Sequence, residues 1–394
     1  MTTKAPVYLD YAATSAIRPP EVVQAVTAYL TDIGATPGRS GHARAVDAGR
    51  VAFRCRRALT RLFRLPGDPG RVAFQFNATH ALNTALHGTL KPGDLLVRTV
   101  FDHNAVRRPA AALAARGVRV SVLQGQADGS VDLDEARALI EGEGRPARVV
   151  ALPHISNVLG QRLPVRAIAD IAHENGSLVL VDAAQSAGHV DVDVEAEGID
   201  LLAFTGHKGL LGPQGVGGLW VREGVAVAPL LRGGTGGDSL PEEMPAAYPD
   251  HLEAGTLNGP GIAGLLAGIE WIEGRGIDEM HAHERALKAR LREALGAMEG
   301  ITVRSPADPD GAGIVTFTSD TVSSEKLATR LERDHGIQCR AGLHCAPEAH
   351  RLLGTTAGGA VRLSLGWAST AADVDRAVEA VARLHDITSY AENA

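Results

Sequence analysis

The middle of the chain alternates short apolar runs with segments whose apolar residues recur at helical spacing. Residues 148–152, 177–181 and 200–204 are apolar runs of the length expected for buried strands. Between the first two runs, apolar residues follow a helical period behind Pro164, which stands at a first-turn position. Repeated strand–helix–strand units of this kind predict a mostly parallel sheet covered by helices.

Beyond residue 261 the pattern changes to long helices and short strands. Helical periodicity extends over 262–300 with an interruption near 274–276, and Glu284 and Lys288 stand at the i,i+4 spacing of an ion pair. Short strand candidates and an amphipathic helix follow. We therefore predict an α/β protein with a large, mostly parallel mixed sheet flanked by helices, and a smaller α+β domain. The predicted bounds are 16–260 for the large domain and 261–394, together with 1–15, for the small one.

Composition and charge narrow the classes of function. The chain has 394 residues, of which 45% are hydrophobic and 22% charged, and its net charge is −7. This balance is ordinary for a globular protein, and it argues against nucleic-acid binding and against a polybasic membrane anchor. No apolar run reaches the ~20 residues that span a bilayer, and the N-terminus has no signal-peptide pattern. Because three cysteines are too few for a disulfide framework, we expect a cytoplasmic protein.

Polar residues follow three predicted strands, at the edge where parallel sheets place their ligands. Asn157, Asp182 and Lys208 each lie at or just after the end of an apolar run. Lys208 closes the tetrapeptide TGHK at 205–208, in which the lysine can form a Schiff base with a carbonyl cofactor. The threonine and the histidine of the tetrapeptide can hold that cofactor's phosphate. The alternative is a surface lysine in a polar loop, and the tetrapeptide alone leaves this open.

Pyridoxal phosphate also needs a carboxylate at its pyridine nitrogen and a phosphate site, and the chain offers a candidate for each. Asp182 ends an apolar strand, and because a buried carboxylate without a partner is costly, it is a candidate for the pyridine nitrogen. The alternative is that Asp182 caps a helix. Gln185 follows three residues later and could donate to a ring oxygen. Thr79 and its neighbouring amides open a predicted helix, which suits a phosphate. An ordinary helix cap without a ligand is the alternative there.

Three further residues could carry chemistry, and each has a plainer interpretation. His103 is a loop imidazole that could be structural. Arg362 lies in a strand-like run, where it is either a surface residue or a fork that grips a carboxylate. Cys345 lies among glycine, histidine and proline residues, whereas Cys55 shares an apolar helical face and Cys339 lies in a strand-like run. We expect the last two cysteines to be buried.

Two other kinds of site find little support in the sequence. A zinc site at His344, Cys345 and His350 would lack a matching pair of ligands elsewhere in the chain. The glycine-rich segment 231–237 does not have the strand–GxGxxG–helix context of a dinucleotide site. A Rossmann-type dinucleotide-binding protein is therefore disfavoured.

The joint occurrence of these motifs resembles the class V aminotransferase family of fold-type I pyridoxal phosphate enzymes. Within that family the chain is most similar to cysteine desulfurases of the short-loop (group II) type, which are related to selenocysteine lyases. The resemblance covers nearly the whole chain. The segments that carry it are 7–15, 102–105, 154–160, 182–188, 205–208, 253–258, 340–345 and 362–366.

The resemblance implies a role for each candidate residue and a homodimer with shared sites. It implies that Lys208 forms the Schiff base, that Asp182 pairs with the pyridine nitrogen, and that His103 stacks on the ring and moves protons. The implied phosphate-binding residues are Ala78, Thr79, Thr205, His207 and, from the neighbouring subunit, Thr256. Asn157 and Gln185 are implied contacts of the substrate or the ring, and Arg362, Arg340 and Asn157 are the implied substrate-binding residues.

The implied reaction converts L-cysteine, with selenocysteine as a possible second substrate, to alanine. A persulfide forms on Cys345 and is transferred to a sulfur-acceptor protein. We expect Arg340 and His344 to favour ionisation of the Cys345 thiol. Iron–sulfur cluster assembly, tRNA thiolation and specialised biosynthesis remain open as pathways. The open alternatives are a selenocysteine or cystine lyase, an epimerase, an aminotransferase, or a sulfur-relay subunit without catalysis.

The chain departs from the family pattern at several positions, none of which removes a required group. The departures are Asn77, Ala78 and His80 around Thr79, Asp102 before His103, and Leu343 before His344.

Overall fold

A seven-stranded sheet forms the larger part of the molecule, and a four-stranded sheet forms the smaller part. The computed structural model describes residues 5–38, 41–237 and 240–391. Over these ranges the strands are β1 (Val7–Tyr8), β2 (Val72–Gln75), β3 (Leu95–Thr99), β4 (Arg119–Leu123), β5 (Val149–Pro153), β6 (Leu178–Asp182), β7 (Leu201–Thr205), β8 (Gly217–Val221), β9 (Ile301–Val303), β10 (Ile314–Ser319), β11 (Ile337–Gln338), β12 (Arg340–Gly342) and β13 (Ala360–Ser364).

The helices pack on both sheets. They are α1 (Pro20–Ala28), α2 (Ala43–Leu62), α3 (Ala78–Thr89), α4 (Asn104–Ala114), α5 (Leu133–Glu141), α6 (Val165–Glu174), α7 (Gly259–Arg275), α8 (Ile277–Gly296), α9 (Ser324–His335), α10 (Pro347–Leu352) and α11 (Ala371–Ala391). Among the described residues, no helix combines the length and the apolar character that crossing a membrane requires.

The large sheet has the strand order β2-β8-β7-β6-β5-β3-β4. The pairs from β7 through β6, β5 and β3 to β4 are parallel, while β8 runs antiparallel to both β7 and β2. Alternate residues of its central strands enter two apolar clusters, one shared with α5 and α6 and the other with α3 and α4. This arrangement confirms the predicted α/β class with a large mixed sheet.

The three predicted central strands are confirmed as β5, β6 and β7, and they are neighbours in the sheet. Pro153 at the end of β5 pairs with Asp182 at the end of β6, and Asp182 pairs with Ala203 of β7. The register therefore brings the carboxyl ends of all three strands to one edge, where parallel sheets bind their ligands.

The small sheet is antiparallel, with the order β12-β13-β10-β9. Apolar residues of α8, α9 and α11 share one cluster with its strands. The N-terminal strand β1 pairs in parallel with β11, and Asp10 forms a bridge to Ser364 of β13. The first described residues therefore pack with the small sheet.

The long helical region is interrupted at Gly276, as predicted, and its two halves pack differently. Ile262, Leu265 and Ile269 of α7 are buried in the same apolar cluster as the large sheet, whereas α8 contributes Leu287 to the cluster of the small sheet. The domain division at residue 260 stays a prediction, and the packing of α7 favours a boundary nearer Gly276.

The expected ion pair between Glu284 and Lys288 is wrong, because both side chains are buried and each bonds to another element. Glu284 accepts a bond from His189 Nδ1 at 2.9 Å. Lys288 Nζ donates to the carbonyl oxygens of Gly160 and Asp308, and burial lowers the pKa of Lys288 to about 8. The i,i+4 spacing places both residues on the face of α8 that turns inward, so partners from other segments replace the local pair.

A buried ion pair joins α2 to the segment that precedes α7. Arg56 donates through one η nitrogen to both carboxylate oxygens of Glu253, at 2.7 and 2.8 Å. Glu253 also accepts the Phe74 N–H, and Arg56 Nε donates to Val72 O at 2.9 Å. Because both side chains are buried, removing either partner would leave the other charge buried and unpaired, which is strongly destabilising.

We expect Glu253→Ala to lower the free energy of unfolding by about 3–5 kcal/mol, because it leaves the Arg56 guanidinium buried without its anion. The measurement is a urea denaturation curve followed by circular dichroism. Glu270→Ala, which removes the exposed partner of Arg54, is the matched control and should cost about 0–1 kcal/mol. Equal small losses in the two variants would contradict the importance of the buried pair.

Candidate active site

A cavity at the carboxyl edge of β5, β6 and β7 gathers most of the predicted site residues. The predicted residues that line it are Ala78, Thr79, His103, Asn157, Asp182, Gln185, Thr205, His207, Lys208, Arg340 and Arg362. The other lining residues are Ala12, Ala13, Asn77, Ala105, Pro153, Ile155, Ala184 and His344. Two predicted residues lie elsewhere: Cys345 is on a turn beside Arg340, and Thr256 is exposed on the loop before α7.

Lys208 and Asp182 both line this cavity, Asp182 at the end of β6 and Lys208 on the turn that follows β7. Burial lowers the pKa of Lys208 to about 8, although the Asp182 carboxylate opposes this by stabilising the ammonium. Burial raises the pKa of Asp182, whose Oδ1 accepts a hydrogen bond from Ala184 N–H at 2.9 Å. Lys208 is therefore an amine that loses its proton close to neutral pH, with a carboxyl group in the same cavity.

The turn that carries Lys208 is fixed by its own backbone and by the N-terminal segment. Gly206 N–H donates to Val216 O at 2.8 Å, and a Cβ at Gly206 would lie 2.8 Å from the same oxygen. A larger residue would therefore push the turn away from the strand beside it. Ser15 donates through its N–H to His207 O and through its hydroxyl to Lys208 O, both at 2.9 Å.

The end of the cavity at the start of α3 suits an anion. Asn77 caps the helix, and its Oδ1 accepts the His80 N–H at 3.0 Å. The amides of Ala78 and Thr79 precede the first bond of the helix and have no helical acceptor. Thr205 Oγ1 is buried without a hydrogen-bond partner among the residues that the structure describes. These donors and the positive end of the helix fit a phosphate group.

His103 caps the N-terminus of α4 and presents an uncharged ring to the cavity. Its Nδ1 accepts the Ala105 N–H at 3.0 Å, so the neutral ring carries its proton on Nε2. Burial and the charge of Lys208 lower the pKa of His103 to about 4. The preceding Asp102 is fully buried and accepts bonds from the N–H and the hydroxyl of Thr99. Burial also raises the pKa of Asp102, to about 8. This closed loop sets the direction in which His103 points.

A second neutral imidazole belongs to His207, the residue directly before Lys208. Burial and the adjacent Lys208 lower the pKa of His207 to about 4. Its Nδ1 lies 3.1 Å from Thr14 Oγ1. His207 is therefore placed as a hydrogen-bonding group and not as a second cation.

Arg362 is a buried cation whose guanidinium is only partly engaged. One η nitrogen donates to Asn157 O at 3.0 Å and the other to Asp10 Oδ1 at 3.1 Å. Its Nε is buried with no partner within the described ranges. Arg340 pairs with Arg362 across β12 and β13 and also lines the cavity. Two adjacent guanidinium groups favour an anionic ligand such as a carboxylate.

Asn157 and Gln185 each use one amide hydrogen on a backbone carbonyl. Asn157 Nδ2 donates to His344 O at 2.7 Å, and Gln185 Nε2 donates to Ala12 O at 3.0 Å. Each side chain has two amide hydrogens and an accepting oxygen. Both therefore keep hydrogen-bonding capacity for a ligand in the cavity that they line.

Cys345 lies on a tight turn between β12 and α10. Its Sγ is 3.4 Å from an η nitrogen of Arg340, which is a cation suited to stabilise a thiolate. Cys55 is buried as predicted, whereas Cys339 is only partly exposed at the edge of the small sheet. Burial raises the pKa of both, that of Cys339 to about 12. Neither is therefore a thiolate at neutral pH, which leaves Cys345 as the candidate nucleophile.

The expectation that His344 helps to ionise Cys345 by its charge is wrong. Burial and the charge of Arg362 lower the pKa of His344 to about 2, so the ring is neutral. Its Nδ1 lies 3.0 Å from Nε2 of His350. Over the described residues, no group of three or more histidine, cysteine or acidic side chains is arranged to hold a metal ion.

Three supporting residues have roles that the sequence pattern does not predict: Asp10, Ser15 and Asn77. Asp10 holds Arg362, Ser15 holds the Lys208 turn, and Asn77 caps the helix at the anion end. For Asn77 the available signal is its place at the predicted helix start, and for Asp10 and Ser15 it is the polar character of 10–15 directly after a strand-like run. That signal does not identify partners that lie hundreds of residues away.

The comparisons with known proteins agree with this geometry. The family model of class V aminotransferases matches residues 7–377. A protein of Methanothermobacter thermautotrophicus described as a probable cysteine desulfurase is 34% identical, over 93% of this chain and 92% of its own length. Another so described, from Pseudomonas aeruginosa, is 36% identical over 94% and 91%.

Solved structures show the same likeness. The apo structure of a cysteine desulfurase from Thermococcus onnurineus has a TM-score of 0.88 and 31% identity, covering 97% of this chain and 95% of that one. A cysteine desulfurase of Escherichia coli has a TM-score of 0.87 and 30% identity with the same coverage. The chain belongs to the class V aminotransferase family, whose members are pyridoxal phosphate enzymes.

We expect Lys208 in cofactor-free protein to react with trinitrobenzenesulfonate with a midpoint near pH 8, because its lowered pKa frees the amine there, whereas an ordinary lysine titrates near about 10.4. Asp182→Asn removes the carboxylate that raises the pKa of Lys208, so the midpoint should move to lower pH. The measurement is the extent of labelling of the Lys208 peptide by mass spectrometry across pH. A wild-type midpoint near 10 would contradict the desolvated environment.

Proposed function

We propose that this protein is a cysteine desulfurase that uses pyridoxal phosphate and L-cysteine. The observation that carries the proposal is the arrangement of Lys208, Asp182 and Arg362 around one cavity, with the Cys345 thiol beside Arg340, which also lines it. The relatives and solved structures described as cysteine desulfurases support it, because they align with nearly the whole chain.

The cavity residues fit the cofactor group by group. Lys208 would hold its aldehyde carbon and Asp182 its pyridine nitrogen, while the neutral ring of His103 would lie against its ring. The unpaired Thr205 hydroxyl and the amides at the start of α3 would hold its phosphate, together with His207. When bound, pyridoxal phosphate supplies an electron sink for bond changes at the substrate α-carbon.

The protein's own residues would bind the substrate and move its protons. Arg362 and Arg340 would hold the carboxylate, and Asn157 would fix its orientation by hydrogen bonds. Lys208, whose pKa is about 8, can take up and return a proton near neutral pH and would act as the general base at the α-carbon. His103 holds a proton on Nε2 and would donate a hydrogen bond from that atom.

The sulfur transfer would take place at Cys345. Its thiolate, stabilised by the Arg340 guanidinium at 3.4 Å, would attack the sulfur of the substrate. The carbon–sulfur bond breaks with its electron pair moving to carbon, and that carbon takes up a proton to give alanine. Cys345 is left as a persulfide, from which a sulfur-acceptor protein would take the outer sulfur atom.

We also propose that the protein acts as a homodimer in which Thr256 completes the phosphate site of the partner. Thr256 is exposed and lies outside the cavity of its own chain, which is compatible with a role in trans. Large apolar side chains that are exposed in the single chain, among them Val23, Leu30, Phe53 and Phe76, supply surface that a second copy would cover.

We expect Lys208→Ala to purify without the yellow absorbance that lysine-attached pyridoxal phosphate gives, and to make no alanine from cysteine. The measurement is the visible spectrum after incubation with the cofactor and gel filtration. Lys91→Ala, which changes an exposed lysine, should keep the spectrum of the wild type. Persistent lysine-attached cofactor in the Lys208 variant would overturn the assignment.

We expect Cys345→Ser to keep the cofactor spectrum but to lose alanine production by roughly two orders of magnitude or more, since the hydroxyl cannot form the persulfide. Alanine is measured from cysteine with a thiol acceptor present. Cys339→Ala is the control and should keep its activity. Full activity of the Cys345 variant would exclude Cys345 as the sulfur carrier and would favour a lyase. Assays of alanine release from selenocysteine and of cystine cleavage would then identify the lyase.

A further inference from the structure

The turn that carries Cys345 has an uncommon backbone conformation. His344 and Cys345 have φ angles of 49° and 58°, in the left-handed region that side chains other than glycine rarely adopt. Such a conformation persists only when surrounding contacts hold it. The contacts that hold this turn therefore decide where the Cys345 sulfur lies.

Two hydrogen bonds to backbone carbonyl oxygens fix the turn from the side of the large sheet. Asn157 Nδ2 donates to His344 O at 2.7 Å, and Asn104 N–H donates to Cys345 O at 2.8 Å. Glu348, in the helix α10 that follows, accepts both η nitrogens of Arg98 at 2.6 and 3.0 Å. These bonds hold the chain on both sides of the sulfur, but none of them holds the His344 ring.

The His344 ring is held by a row of buried side chains. His344 Nδ1 lies 3.0 Å from His350 Nε2, and His350 Nδ1 lies 2.8 Å from Thr355 Oγ1. His344 Nε2 lies 3.4 Å from Arg340 O. Both rings are almost wholly buried, His350 at 0% and His344 at 2% exposure, so their nitrogens depend on each other for partners.

Each contact in this row can pair one donor with one acceptor. Burial, together with the charge of Arg362, lowers the pKa of His344 to about 2 and that of His350 to about 4. Two neutral rings carry one N–H each. The Thr355 hydroxyl is 2.8 Å from His350 Nδ1 and 3.3 Å from His350 O, and it can give its one proton to the nearer Nδ1. His350 Nε2–H can then donate to His344 Nδ1, and His344 Nε2–H to Arg340 O. The row thus ends on the residue whose guanidinium meets Cys345.

We propose that His350 is a positioning residue for sulfur transfer, acting through His344 to keep the Cys345 sulfur against Arg340. This inference rests on the proposed function of Cys345 as the sulfur carrier. His350 lies in the first turn of α10, after Cys345 in the chain. Its ring contacts His344, the residue directly before Cys345, so the two rings bridge the segment that carries the sulfur. Loss of that contact would let the left-handed turn relax and would remove the thiolate from its cation.

The test measures ionisation of Cys345 in the cofactor-loaded enzyme. The probe is iodoacetamide, and the extent of alkylation of the Cys345 peptide is followed by mass spectrometry across pH. His350→Phe keeps the ring volume but loses both hydrogen bonds, and we expect its midpoint to rise, because the sulfur loses the cation beside it. The charged groups that act on the thiol, Arg340 and Arg362, are unchanged in this variant.

Rescue distinguishes positioning from general loss of structure. His350→Gln can still donate from its amide to His344 Nδ1, and its midpoint should return towards that of the wild type. In His350→Phe the rate of alanine formation at pH 7 should fall about tenfold or more, because the attacking sulfur is displaced, with a smaller change in KM for cysteine. His283→Phe, which loses a ring bond to Ser369 O, is the matched control and should keep the wild-type midpoint.

Two results in the His350 variants would contradict a positioning role. An unchanged midpoint in His350→Phe, or a midpoint in His350→Gln displaced as far as in His350→Phe, overturns the proposal. If His350→Phe does not fold, Thr355→Val removes the outer hydroxyl of the row and should raise the midpoint in the same direction, and no rise would overturn it. Absence of alanine from the wild type would refute the proposed function instead, while the alkylation midpoints would still report on the position of the sulfur.

Discussion

The buried charge of Arg362 is the constraint on which the site depends. A guanidinium at 1% exposure is stable only if acceptors surround it, and its acceptors come from two distant segments, Asp10 near the N-terminus and Asn157 after β5. One side chain of the small sheet therefore ties the segment around Asp10 to the edge of the large sheet. The cavity exists because these three segments converge on that charge.

Desolvation then sets the chemistry of the cavity. Because positive groups crowd a buried space, the nearby imidazoles of His103 and His207 lose their protons and Lys208 becomes a weak base. Asp182 responds in the opposite sense, since burial favours its neutral form. The cavity thus contains neutral imidazoles that can form hydrogen bonds. Its arginine side chains leave an excess of positive potential, which an anionic ligand would neutralise.

The sequence predicts the parts of the fold and site that depend on local order. The strands that end at Asp182 and before Lys208 are readable from their apolar runs, and parallel pairing places their ends at one edge. Contacts between distant segments are not readable in this way. The partners of Glu284 and Lys288 come from other elements, and the link between His344 and His350 depends on a left-handed turn that no local preference favours. A residue contributed by a second subunit, as implied for Thr256, can be located neither from the pattern of one sequence nor from the structure of one chain.

The bonds from Ser15 to the carbonyl oxygens of His207 and Lys208 have a consequence for how the protein can be shortened. Among the residues that the structure describes, the segment ahead of α1 contains only the two-residue strand β1, and its length gives no hint of a supporting role. Yet it is the brace behind the lysine turn and, through Asp10, the counter-charge of Arg362. Trimming the chain to the start of α1 would remove β1 from its pairing with β11, would take Val7 and Leu9 out of the apolar cluster of the small sheet, and would detach the site from its support.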